Sequence, residues 1–379
     1  MIPLAIPNLT GREAEYLQQC IETTFVSSVG PFVSRFEEMV VGATGSAKAV
    51  AVSSGTAGLH AALKAIGVGR DDLVILPSFT FIASANAIAY CGASPWLFDV
   101  TEESWTLDPA LLTDHLAAET HQEEGRLVHK KTGRRVAAVM PVYTLGMPAD
   151  MDAILRIASD YKLPVVVDGA AALGATYKGR SLGDFGGDLT VFSFNGNKTV
   201  TAGGGGAVVG EDGDLIKLVQ HLSTTARVGA DYHHDKVGFN YRMTNIAAAV
   251  GCAQMERLEE FVAAKRRIQK SYNEALRDLP GVGIFPQPEW AEGACWLAGI
   301  IMSNTEMAQA LRCRLKEKNI DARPFWKSIH LQPMFLSSPA TEQPVSSDVW
   351  SRIVMLPCST GLKESEQAKV IEILHKALC

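Results

Sequence analysis

The sequence predicts an α/β protein, with a large domain built on a mostly parallel sheet flanked by helices and a smaller C-terminal α/β domain. Three observations predict it. Apolar strand-like runs alternate with helical spacings through the N-terminal part of the chain, the pattern of a parallel sheet with crossover helices. At 379 residues the chain exceeds one simple core and fits a large domain plus a smaller one. From about Tyr241 the pattern changes to a long amphipathic helical segment. The domain change is placed there, with residues 1–245 as the large domain and 246–379 as the small one.

Taken in order, "TGREAEYLQQCIETTF" offers Thr10 as an N-cap with Glu13 three residues on, a capping box ahead of helical spacing. "SSVGPFVSRFEEMVVGATG" reads as a Gly-Pro turn opening a second helix. "KAVAVSSGTAGLHAALKAIGVG" is strand, turn and helix, and "DDLVILPSFTFIASANAIAYCGASPWLFDV" repeats the pattern with a strand on either side. The charged run around Lys130 reads as an exposed, solvated excursion before an apolar strand near Val136 to Val142. "MPADMDAILRIASDYKLPVVVDGAAALGA" gives another helix and a buried strand, Pro164 to Val167, that stops on Asp168. "LTVFSF" and "GGAVVG" are two further strands, read as a pair. Beyond the helical segment, "ACWLAGIIM", "EMAQALRCRLKEKN" and "ESEQAKVIEILHKAL" supply the small domain's strand and helices.

Composition narrows the function. Apolar residues make up 47% and charged residues 20%, ordinary for a soluble globular chain. A net charge of −6 offers no basic field for nucleic acid, which leaves a small-molecule substrate. The seven cysteines are odd in number, scattered and never in a CxxC pair. That disfavours a disulfide framework and a metal site, and fits a reducing compartment. "MIPLAIPNLTGREAEYL" has neither a basic n-region nor an apolar h-region, and no window approaches a membrane span. A cytoplasmic location, with no membrane partner, is expected.

One stretch carries the chemistry. In "FSFNGNKTVTAGGGG", Phe192 to Gly206, a strand-like run ends at a polar turn with one lysine, Lys198, before four glycines. The turn is not a P-loop, because no glycine directly precedes Lys198, and the glycine run enters a strand where a dinucleotide fingerprint would open a helix. A lysine that must form an imine with pyridoxal 5′-phosphate needs a short tether and backbone that admits a flat ring. The same chemistry requires a carboxylate for the ring nitrogen, a phosphate cradle and a cover for the ring. Asp168, ending "VVVD" at the carboxyl end of a strand, suits the ring nitrogen and serves equally as a helix N-cap. Ser54, Gly55 and Thr56 form a strand-to-helix turn whose free amides suit a phosphate; most such turns are simple caps. Phe81 in "PSFTFIASAN" reads as a ring cover or as an ordinary core residue.

These stretches together resemble the DegT/DnrJ/EryC1/StrS sugar aminotransferases, within the pyridoxal phosphate-dependent fold type I. The resemblance runs essentially end to end and is carried by "VSSVGPFVSRFEE", "SSGTAGLHAAL", "PSFTFIASANAI", "VVVDGAAALGA", "FSFNGNKTVTAGGGG", "VGFNYRMTNIAAAVGCAQMERL" and "ARPFWKSIH". It implies that Lys198 holds the cofactor covalently, that Asp168 pairs with the pyridine nitrogen and that Phe81 stacks on the ring. It further implies that Gly55, Thr56 and Ser193 hold the phosphate, and that Asn240 reaches it from the neighbouring subunit of a homodimer with shared active sites. Within the family, "IPLAIPNLTGREAEYL", "FVSSVG", "FNGNK", "YHHDKVGFNYRMTN" and "RPFWKSIHLQPMF" resemble the branch acting on UDP-linked 4-keto-6-deoxy-N-acetylglucosamine, on routes to bacillosamine and legionaminic acid. Transamination from L-glutamate to that ketone is implied. Arg323, Trp326 and His330 are its expected nucleotide-sugar contacts, with a surface ion pair for Arg323 and small-domain packing for the other two as the plainer readings. Rival readings are another nucleotide-linked keto-sugar or a cyclitol acceptor, and a non-catalytic relative. Two positions depart from the family pattern: Ala171, where many relatives carry Gln, Glu or His, and Tyr143, where relatives tend to have His.

Overall fold

The structure, a computed structural model, describes residues 1–183 and 186–378; Cys379 of the cysteine count lies outside them. The chain opens with α1 (Glu13–Glu22) and α2 (Pro31–Thr44). α2 has proline in its first turn, where an amide would have no helical partner, and ends at Gly45 in left-handed backbone with φ 74°. α1 begins later than the capping box placed it. Arg12 precedes its first residue and no side chain caps it. Thr10 donates instead to Asn8 Oδ1 at 2.7 Å, and Glu13 accepts the Gly11 amide at 2.9 Å. The acid reaches back two residues where the box requires three, so the box does not form.

β1 (Lys48–Val52), α3 (Gly55–Ala65), β2 (Leu73–Pro77), α4 (Ile82–Tyr90), β3 (Ser94–Phe98) and α5 (Pro109–Glu119) follow the expected alternation. The charged stretch expected as a solvated loop is a hairpin. In it β4 (Thr120–Glu123) pairs antiparallel with β5 (Arg126–His129), which pairs with β6 (Arg134–Val139). Leu127, Val128 and His129 are buried, so a short apolar centre inside the polar run makes the strand. Next come α6 (Met151–Asp160), β7 (Val166–Asp168), β8 (Thr176–Tyr177), β9 (Arg180–Ser181), β10 (Leu189–Ser193) and β11 (Gly206–Gly210). After α7 (Gly213–Ser223) and the short hairpin of β12 (Arg227–Val228) and β13 (His233–His234), the helical segment resolves into α8 (Asn245–Met255) and α9 (Leu258–Leu276). β14 (Val282–Ile284), β15 (Ala291–Glu292), β16 (Ala298–Met302), α10 (Thr305–Glu317), α11 (Pro344–Arg352), β17 (Ile353–Leu356) and α12 (Glu364–Leu378) complete the chain.

β2 pairs parallel with β3 and with β6, and β7 pairs parallel with β10. Parallel bridges Val139–Val165 and Val142–Asp168 join the end of β6 to the β7 segment. β11 runs antiparallel between β10 and β1. The order is therefore β3-β2-β6-β7-β10-β11-β1, with β11 reversed. Because β10 and β11 form a hairpin, the loop carrying Lys198 stays at the carboxyl ends of β7 and β10, the edge at which open α/β sheets bind ligands.

Period-two alternation sends side chains to two faces, and both are covered. Val50, Val52, Val74 and Leu76 pack in one apolar cluster with residues of α3, α4 and α7. Ala51, Leu73 and Ile75 pack in another with α2, α6 and α8. A third cluster joins Ile268 and Leu276 of α9 to Ala298, Leu311, Val354 and Val370, and it includes Ile2 and Leu4 from the start of the chain.

Phe36 ties α2 to the lysine loop. It is fully buried and meets Phe194 edge-on at 4.8 Å and 77°. A Cβ on Gly251 would lie 2.6 Å from its ring, so α8 approaches α2 that closely only because position 251 has no side chain. Phe36→Ala is expected to destabilise the fold by about 3–5 kcal/mol, read as a fall in the urea midpoint; an unchanged midpoint would contradict this packing role.

Candidate active site

The segments that follow β1, β2, β6, β7 and β10 enclose a cavity of about 350 Å³. Ser54, Gly55, Thr56, Phe81, Asp168, Ser193, Lys198 and Trp326 all line it. At one end lies the start of α3. Ser54 is a true N-cap, accepting the Ala57 amide at 3.0 Å, which leaves its hydroxyl proton to donate toward the cavity it lines. The amides of Gly55 and Thr56 have no acceptor within the helix, and the positive end of its dipole faces the cavity. A Cβ on Gly55 would sit 3.0 Å from the Ser193 Cβ, which brings the end of β10 against the same turn. Together they form an anion cradle.

Asp168 is buried, at 5% exposure. Its Oδ2 accepts the Ser84 hydroxyl at 2.6 Å, and Oδ1 accepts the Ala170 amide at 3.1 Å. No helix begins there, so the N-cap alternative falls away and a short local turn replaces it. Burial pushes the Asp168 carboxyl up; the Ser84 and Ala170 hydrogen bonds and the charge of Lys198 oppose it. Ser84 is in turn placed by Thr80, 2.9 Å away.

Lys198, half-buried on the β10–β11 loop, has its amine pushed down to about 8 by burial, with Asp168 pulling the other way. Its Nζ lies 3.5 Å from the centroid of the Trp296 ring. Nothing local marked Trp296; "ACWLAGIIM" reads as the approach to a small-domain strand. Phe81 is 49% exposed, which excludes the core reading, and its ring meets Trp326 at 5.1 Å. Both rings stand on the cavity wall.

The glycine run has a structural reason at each end. Gly204 and Gly205 line the cavity. Gly205 has φ 154° and a Cβ there would lie 2.4 Å from Met243, while one on Gly206 would lie 2.7 Å from the Ser54 carbonyl carbon. The backbone of β11 thus abuts the cradle turn directly. Tyr143 is 1% exposed, lines the cavity, and its hydroxyl has no hydrogen-bond partner among the described residues. Ala171, the other departure, also lines the wall. An anion cradle, a buried carboxylate, a depressed amine and an unpartnered buried donor around one cavity fit a flat, phosphorylated aldehyde.

Three expected residues lie outside that wall. Arg323 is exposed and paired with Asp321 at 2.9 Å. His330 is held by Ser78 at 2.6 Å and Ser347 at 2.9 Å. Asn240 is exposed and bridges to Thr224. Of the sugar contacts expected, only Trp326 reaches the cavity. Among the described residues no helix is long and apolar enough to cross a membrane.

Comparison with known proteins gives the same assignment. Residues 7–375 match the DegT/DnrJ/EryC1/StrS aminotransferase family. The chain is 38% identical to EpsN of Bacillus subtilis (strain 168), assigned as a pyridoxal phosphate-dependent aminotransferase, over 98% of this chain and 95% of that one. It is 35% identical to the GDP-perosamine synthase of Escherichia coli O157:H7, over 99% and 98%. The solved structure of a DegT DnrJ EryC1 StrS aminotransferase from Brucella abortus superposes with a TM-score of 0.88 at 27% identity, over 97% and 95% of the two chains. The fold is accordingly type I, and the chain belongs to the DegT/DnrJ/EryC1/StrS family as a pyridoxal phosphate-dependent sugar aminotransferase.

Proposed function

We propose that the protein transfers the amino group of L-glutamate to the C4 carbonyl of a UDP-linked 4-keto-6-deoxy-N-acetylhexosamine, by a ping-pong route. The observation that carries the reading is Lys198 and Asp168 on the walls of one cavity whose end is the α3 N-terminus. When bound, pyridoxal phosphate supplies an electron sink for the carbanion left by loss of the donor's α-proton. Lys198 is the tether. With its Nζ free, that amine would take the donor's α-proton and give it to the cofactor's aldehyde carbon, and in the second half it would move a proton the opposite way, to C4 of the sugar. Asp168 accepts from the protonated ring nitrogen, a charge-assisted bond in a site shielded from water. Gly55, Thr56 and Ser193 hold the phosphate, and Phe81 covers the ring beside Trp326, which packs on the sugar. Arg323 and His330 remain in this reading as contacts for the nucleotide beyond the rim, on their proximity in the chain to Trp326.

The acting form is a homodimer in which Asn240 serves the other subunit's phosphate. Its support is the exposure of Asn240 and of its apolar neighbours Tyr232 and Val237, 88% and 86% exposed.

A second reading, the same chemistry on a GDP-linked keto-sugar, is favoured by the 35% identity to GDP-perosamine synthase. Incubation with each 4-keto-6-deoxy sugar nucleotide, pyridoxal phosphate and L-glutamate, followed by mass spectrometry, separates the two. A glutamate-dependent 4-amino product from the UDP-linked ketone is expected. Product from the GDP-linked ketone alone would establish the second reading, and no amination of either would contradict both.

The lowered amine has its own signature. The reactive form is neutral, and its fraction climbs as pH rises through about 8. Covalent loading of Lys198 should rise about fivefold from pH 7 to 8 and less than about twofold from 8 to 9. An ordinary lysine would still gain about tenfold over the second step, and stopped-flow absorbance distinguishes the two profiles.

A further inference from the structure

Trp296 takes no part in the chemistry described above, yet four separate features fix it. It is 4% exposed. Its indole N–H donates to the Asn197 carbonyl at 2.7 Å, the residue before the lysine. Its own carbonyl accepts Lys265 Nζ at 2.9 Å, and Lys265, 2% exposed, also donates to the Cys358 carbonyl at 2.7 Å. Its amide donates to Leu145 at 3.3 Å.

The backbone there is strained on both sides. Cys295, immediately before it, has φ 50°, and Leu145, which accepts its amide, has φ 57°. Left-handed backbone at two non-glycine residues that meet through one hydrogen bond persists only where surrounding structure holds it, and such strain gathers at functional positions. What this frame presents to the cavity is an aromatic face, and on that face sits the Lys198 ammonium, 3.5 Å from the centroid.

We propose that Trp296 is a positioning residue whose indole face seats the Lys198 amine whenever that amine is released from the cofactor, with Lys265 bracing the seat from the small lobe. The inference rests on Lys198 being the cofactor's tether. A released lysine has four rotatable methylenes and an open cavity. With the cofactor in place Asp168 is engaged by the ring nitrogen, so without a seat the amine samples the open cavity; with the seat it stays beside the atoms between which it must carry a proton. A cation over a desolvated indole is held more strongly than over phenylalanine, and an aliphatic side chain offers no such hold.

The test uses the holoenzyme with excess L-glutamate, which frees Lys198, and a small amine-acylating reagent whose yield on the Lys198 peptide is read by mass spectrometry. Wild type, Trp296→Phe and Trp296→Leu are compared. Labelling of Lys198 should quicken in that order, by about tenfold in total. kcat should fall by a similar factor while KM for glutamate stays within about twofold, and phenylalanine should restore most of the loss. Equal labelling rates with unchanged kcat would overturn the proposal. If leucine prevents folding, wild type against phenylalanine decides: a labelling rate that does not rise in the phenylalanine variant counts against the seat. Borohydride reduction of wild type that leaves no phosphopyridoxyl group on Lys198 would instead overturn the tether reading, so the two failures are distinguishable.

Discussion

Lys198→Ala is expected to abolish turnover, by about 10⁴-fold or more, while the far-UV spectrum and thermal midpoint stay close to those of wild type. The size follows from what one side chain does twice. It tethers the cofactor, and it moves a proton in each half of the cycle; general acid–base work alone contributes about 10²–10⁴-fold. The fold should survive because, among the described residues, the side chain carries no hydrogen bond, and its amine rests on the cavity wall, against Trp296. Removing a cation that burial already disfavours leaves little to lose. The variant should still bind pyridoxal phosphate through the cradle, but without the absorbance of a covalent adduct. Residual activity above about a hundredth of wild type, more than the loss of a proton carrier allows, would contradict the role assigned to Lys198.

Asp168→Asn should cost about 10²–10³-fold in kcat, the scale of losing one preorganised electrostatic partner in a water-excluded site. The substitution keeps the shape and the acceptor for the Ser84 hydroxyl, at the cost of the acceptor for the Ala170 amide. It removes the charge that keeps the ring nitrogen protonated. KM for the sugar nucleotide should move little, because the carboxyl lies at the cofactor's end of the cavity, beside Ser84 and Ala170. Steady-state kinetics that show a raised KM with intact kcat would reassign Asp168 to substrate binding.

How much of this was legible depends on how far each feature reaches along the chain. The β1–α3 turn, the strand ending on Asp168 and the lysine loop are local: a strand followed by a polar turn places its residues at a sheet edge whatever lies elsewhere. The strand pairing of β10 with β11 was legible for the same reason. The hairpin near Lys130 was not, because two apolar positions, Leu127 and Val128, inside a charged run fall below the periodicity that marks a strand. Trp296 was invisible, since its meaning lies in a contact with a loop 99 residues away from it at Asn197. Ser84 was likewise hidden inside α4, where nothing in "IASANAIAY" announces a partner for a carboxylate 84 residues on. Arg323 and His330 differ from Trp326: the motif "RPFWKSIH" brings Trp326 to the cavity, while Arg323 pairs with Asp321 and His330 meets Ser78 and Ser347 outside its wall.

The most direct test of the central claim is borohydride reduction of the holoenzyme, followed by proteolysis and peptide mass spectrometry. The predicted result is a phosphopyridoxyl group fixed on Lys198, in the peptide containing "FNGNK", and absent when L-glutamate is added before the reductant. A modified lysine elsewhere, or no modified lysine in a protein that holds the cofactor, would contradict it.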